Sequence, residues 1–187
     1  VAANKEIIRR VEAIYKWLDE QIAAHQTEAG VCDACGKCCD FESFGHRLFV
    51  TTPEMIFFAD KINSSNVIAS PFGAKQSQTF DREKAEGRRK GEGLPRRPDK
   101  VGTPRNDYGG RCWYQVENKC TVYAHRFAGC RIFCCKGDTR FQSDLTEAVI
   151  KKFKAICEEF KVSYRYVDLP TALQNFTAET AENAEFF

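Results

Sequence analysis

The chain carries ten cysteines in 187 residues, and their spacing suits metal ligation. Cys32, Cys35, Cys38 and Cys39 stand together in CDACGKCC, and Cys112, Cys120, Cys130, Cys134 and Cys135 form a looser second group. Cys157 stands alone. A two-residue gap lets one turn bring two thiolates to one ion while its backbone amides point at the sulfurs, as in zinc knuckles and iron–sulfur loops. Cysteine density is below that of small secreted scaffolds, and the chain is long enough to build a core without covalent staples. Metal is therefore favoured over a disulfide framework, and a reducing, cytoplasmic setting is expected.

Cys32, Cys35 and Cys38 reproduce the C-x2-C-x2-C run that supplies three ligands to a four-iron cluster, but the usual later Cys-Pro is replaced by an immediate Cys39. Neighbouring side chains on an extended backbone point apart. Cys38 and Cys39 are accordingly expected not to share one ion, and the same holds for Cys134 and Cys135. The nine grouped cysteines suffice for two four-thiolate sites, or for one site with spare thiols. Zinc sites typically pair two CxxC knuckles. The asymmetric supply here favours one or two 4Fe–4S clusters, with zinc as the alternative. Lys37, Arg131 and Lys136 are expected to offset the negative charge of such a centre. His125, five residues after Cys120, is a weaker candidate ligand, and His25 and His46 are read as structural or exposed.

Positioning elements can be read from periodicity. Residues 4–28 place Ile7, Val11, Ile14, Leu18 and Ile22 on one helical stripe, closed by Gly30. His46 to Val50 predicts a short strand. Thr51-Thr52-Pro53-Glu54 predicts a helix start, with a threonine cap, a first-turn proline and a capping box to Glu54. CWYQVENKCTVY (112–123) predicts a hairpin turning at Glu117-Asn118-Lys119, with Cys112 and Cys120 on its strands. A helix is expected from near Ser143 to near Phe160, with Cys157 buried on its apolar stripe. Asp168 and Pro170 should start a last short helix over TALQNF.

These elements predict a single α+β domain over 1–187, mostly helical, with a short β-hairpin and organised around cysteine-ligated metal. A long Gly/Pro-rich loop spans about 71–111, and an acidic tail covers 177–187. Between 81 and 111 ten Lys/Arg face six acids, but no stacking aromatics interleave, so a solvated insertion is preferred over nucleic-acid contact. The net charge of +2 is too balanced for a chain whose bulk binds nucleic acid. No apolar run is long enough for a membrane span, and VAANKEIIRRVEAIYKW lacks the apolar core of a secretory leader. No Ser/His/Asp arrangement, P-loop or dinucleotide fingerprint is present.

CDACGKCC followed by LFVTTPEMIFFADKI, and then Cys120, Tyr123, Arg126, Cys130 and Arg131 in order, resembles the YkgJ-type CxxCxxCC cysteine-cluster family of zinc- or iron-chelating domains. The matching features frame about residues 32–135. Phe127 stands where the family commonly has proline, and Cys134-Cys135 stand near its usual terminal proline. The resemblance implies a metal-binding domain. Three functions fit it: an electron-transfer or redox accessory module working with a protein partner, a zinc-stabilised adaptor contacting a protein or nucleic acid, and an enzyme or enzyme subunit in protein-modification chemistry.

Overall fold

A buried carboxylate joins the parts of this molecule, and the local sequence around it explains why. In the computed structural model, which describes residues 2–64 and 111–174, Thr51 ends strand β1 (Phe49–Thr51) and Glu54 lies in the first turn of helix α4 (Thr52–Ser64). One half of the capping box forms, one Glu54 oxygen accepting from the Thr51 N–H at 2.9 Å, and the Thr51 hydroxyl donates to that same oxygen at 2.8 Å. The other oxygen reaches beyond the box. It accepts from the Tyr15 hydroxyl at 3.1 Å and from the Ala128 N–H at 2.7 Å. Glu54 is 2 % exposed, so burial pushes its carboxyl pKa up while these four donors pull it back.

The expected long N-terminal helix is α1 (Ala2–Ala24), followed by one short turn of helix, α2 (Gln26–Ala29), which ends at Gly30 with φ +73°. A 3-10 turn over Lys37–Cys39 and a short helix α3 (Phe41–Phe44) lead into β1. The hairpin is smaller than expected. Strands β2 (Gln115–Val116) and β3 (Lys119–Cys120) flank Glu117 and Asn118, both at positive φ, so Cys120 is on a strand and Cys112 precedes one. A 3-10 turn over Tyr123–His125 and helix α5 (Ala128–Ile132) follow.

Helix α6 (Thr139–Phe160) begins four residues before the expected Ser143. The reason is its cap: the Asp138 carboxylate accepts from the Phe141 N–H at 2.7 Å. Cys157 is 3 % exposed on its inner stripe, as expected. A strand that the sequence pattern did not predict, β4 (Tyr166–Asp168), pairs antiparallel with β1, with Val50 opposite Val167. Helix α7 (Leu169–Gln174) then starts two residues before the expected TALQNF. The loop at 71–110 and the tail at 177–187 lie outside the described residues.

Two apolar clusters support this α+β arrangement. One joins Val11, Leu18, Phe57, Val149 and Phe153 across α1, α4 and α6. The other gathers Phe41, Val50, Phe58, Phe127 and Leu169, with Cys112, Cys120 and Cys130 packed against it. Among the described residues, no helix is long and apolar enough to cross a membrane.

Replacing Glu54 by Gln puts an amide where four donors converge, leaving buried donors unpaired. The variant should lose about 3 kcal/mol of stability in urea unfolding. A loss below about 0.5 kcal/mol would show that the carboxylate does not hold these elements together.

Candidate metal centre

Each cysteine loop is shaped by its backbone before any thiol is considered. After Val31, Ala34 adopts φ +51° and Gly36 φ +72°, so the CDACG segment curls tightly. Gly36 is required twice over, because a Cβ there would also lie 2.2 Å from the Asn118 carbonyl oxygen at the hairpin turn. The Gln115 side-chain amide donates to the Gly36 carbonyl at 2.6 Å, and the Cys112 N–H donates to the Cys39 carbonyl at 2.7 Å. The two cysteine segments are therefore fastened through their backbones.

Three sulfurs accept a hydrogen bond from the amide two residues on. The Ala34 N–H donates to Cys32 Sγ at 3.4 Å, and the Tyr114 and Val122 amides likewise act on the thiols of Cys112 and Cys120. At Cys32 this is the turn geometry that the two-residue gap to Cys35 implies, and such an amide stabilises a sulfur that carries negative charge.

Five thiols form an inner set. Cys38, Cys39, Cys112, Cys120 and Cys130 act on one another electrostatically, although they come from three separate segments. Burial pushes the Cys112 thiol up to about 11, with further increments from Cys120 and Cys38. Burial also raises Cys130, and the neighbouring Cys112 and Cys120 add to it. Cys38 goes the other way, because the Cys39 thiol donates to it; Cys39, as the donor, is raised. This pairing corrects the expectation that Cys38 and Cys39 point apart. Their backbone is a 3-10 turn rather than an extended chain, so the opposed side chains of an extended strand do not apply there.

The positive charge beside this set belongs to Arg126. Its field lowers the thiol pKa values of Cys38, Cys120 and Cys130. The guanidinium lies 3.6 Å over the Tyr123 ring, and Nη1 donates to the Cys130 carbonyl at 3.4 Å. Its Nε is buried without a hydrogen-bond partner. Arg131, which the sequence suggested for this role, is committed elsewhere: it pairs with Asp19 at 2.8 Å and donates to the Arg126 and Ala124 carbonyls. Lys136 pairs with Asp33 at 2.6 Å, and Lys37 is exposed.

Cys32, Cys35 and Cys135 are exposed and Cys134 is buried. The histidines take structural positions: His46 stacks on Phe133 at 4.4 Å, His125 meets the edge of Phe57, and His25 bonds the Gln21 carbonyl. A cavity of about 200 Å³ against Phe49, Ile132, Val149 and Phe153 has no cysteine among its described lining residues.

Among the described residues, no three Cys, His, Asp or Glu side chains already stand around one point at metal-binding distance. The donor set nevertheless fits a thiophilic metal. It offers more than four sulfurs, amides aimed at two of the inner ones, and an unpaired buried Arg126 N–H beside them. No family model, no curated protein and no solved structure matches this chain.

In reduced, metal-free protein at pH 7, iodoacetamide should modify Cys38 well before Cys112 and Cys130, because the thiolate is the nucleophile. Peptide mass mapping reads the order. Alkylation of Cys130 ahead of Cys38 would contradict the assigned electrostatics.

Proposed function

We propose that this chain is a metal-binding cysteine-cluster protein. It holds a 4Fe–4S cluster on the inner thiols and acts in electron transfer or as a redox accessory module for a protein partner. The observation that carries the reading is the inner set itself: five thiols from three segments, with Tyr114 and Val122 amides directed at two of the sulfurs. The order of cysteines with Tyr123, Arg126 and Arg131, which resembles the YkgJ-type family, supports the same conclusion.

Cys38, Cys39, Cys112, Cys120 and Cys130 supply more sulfurs than the four ligands required, and Cys39 is the one most strongly held as a neutral thiol by its neighbours. The bound cluster would supply a one-electron carrier. The protein's own contribution is electrostatic. The amides of Tyr114 and Val122 stabilise charge on Cys112 and Cys120, and Arg126 offsets the net negative charge of four thiolates. Cys112, Cys120 and Cys130 pack, partly buried, against the second apolar cluster.

Raised thiol pKa values make loading a proton exchange. At neutral pH, Cys112 and Cys130 enter the reaction as thiols and lose protons to become ligands. Metal affinity therefore rises with pH between about 6.5 and 8.5. A zinc or cobalt titration that shows pH-independent affinity would contradict the assignment of these residues as ligands.

Anaerobically purified protein should be brown, contain iron with equivalent acid-labile sulfide, and bleach with dithionite. Cys112→Ser and Cys130→Ser should each abolish the chromophore. Colourless protein with stoichiometric zinc would overturn the cluster assignment and favour a structural adaptor.

A further inference from the structure

The cleft of about 200 Å³ is lined chiefly from β1, α5 and α6, and no cysteine is among its described lining residues. Its inner surface is apolar. Ile132, Val149 and Phe153 are buried there, and Phe49 forms a wall with Tyr166, their rings stacked at 5.0 Å and 19°. The exposed residues of the lining are Arg47, Ser143 and Tyr166, and these mark its mouth.

We propose that this cleft binds a small aromatic carboxylate, with the ring inward and the carboxylate at Arg47. The proposal does not depend on the metal reading.

Size and walls select the body of the ligand. An apolar cavity of about 150 Å³ is enough to hold benzene. This cleft therefore has room for a single ring and a short arm, and not for a long alkyl chain. Rings prefer offset-stacked or edge-on neighbours, which Phe49 and Tyr166 supply beside the aliphatic floor.

Charge selects the head group and its orientation. Arg47 and Glu54 are the charged residues among the described lining, one exposed and the other buried. An ionised carboxylate accepts about four hydrogen bonds. Glu54 already has four, two from Thr51 and one each from Tyr15 and Ala128. It has no acceptor site left for a donor on a ligand, and its charge disfavours an anion at the inner end of the cleft. The half-buried polar side chains are engaged as well. The Thr146 hydroxyl donates to the Gln142 carbonyl at 2.7 Å, and the Gln142 side chain holds the Cys134 N–H and carbonyl at 3.3 and 2.9 Å. At the mouth the opposite holds. Among the described residues, neither the Arg47 guanidinium nor the Ser143 hydroxyl has a hydrogen-bond or ionic partner. A carboxylate there meets a planar guanidinium of matching geometry and a hydroxyl donor.

Titration of fluorophenylacetate into the full-length chain tests this, read by fluorine NMR of the ligand and by the backbone amide shifts of the protein. Binding with a Kd of about 1 mM or tighter is expected, with amide shifts at Phe49, Thr146, Val149 and Tyr166. Arg47→Gln, which alters one exposed side chain, should weaken binding about fivefold. The neutral fluorophenylacetamide should bind wild type and Arg47→Gln alike, and more weakly than the acid binds wild type. No binding of the acid up to about 10 mM, or amide shifts confined to other surfaces, would overturn the site. Equal binding of acid and amide, or an unaffected Arg47→Gln, would overturn the anionic ligand.

Discussion

Glu54 places a carboxylate inside the core, and the cysteine geometry depends on how its two oxygens are satisfied. One oxygen belongs to the local capping box with Thr51, and the other ties α1 through Tyr15 and α5 through Ala128. Ala128 opens the helix that carries Cys130, so this hydrogen bond fixes where that thiol stands. A buried acceptor of this kind is costly unless every donor is in place, which makes the arrangement all-or-none. The same negative charge adds to the rise in the Cys130 thiol pKa, so the structural anchor also tunes a proposed ligand.

The metal-free sulfurs oppose one another. Burial and mutual repulsion keep Cys112 and Cys130 protonated, and Cys39 yields a hydrogen bond to Cys38 instead of charge. Arg126 alone does not neutralise so many sulfurs as thiolates. A metal of charge two or more, or a cluster, would remove the repulsion by replacing protons.

Local chemistry was legible in the sequence where it acts over a few residues. The Thr51–Glu54 box, the stripe burying Cys157 and the amide-to-sulfur turn at Cys32 follow from spacing. Features that depend on distant partners were not. Nothing in TTPE reveals that Glu54 reaches Ala128, seventy-four residues on. The pairing of β1 with β4 has no alternating pattern to announce it over Tyr166–Asp168. Arg126 and Arg131 both flank Cys130, and spacing does not reveal that Arg126 ends the 3-10 turn over Tyr123–His125, with its charge acting on the sulfurs, while Arg131 lies in α5 and pairs with Asp19. Adjacency alone does not reveal that Cys38 and Cys39 lie in a 3-10 turn rather than an extended chain.

In the proposed function, sulfur from this chain, and no other donor type, holds the metal. X-ray absorption at the metal edge of loaded, anaerobic protein tests it directly. Ligation by sulfur alone gives a first coordination shell of sulfur at about 2.3 Å. A shell containing nitrogen or oxygen at about 2.0–2.1 Å would contradict it.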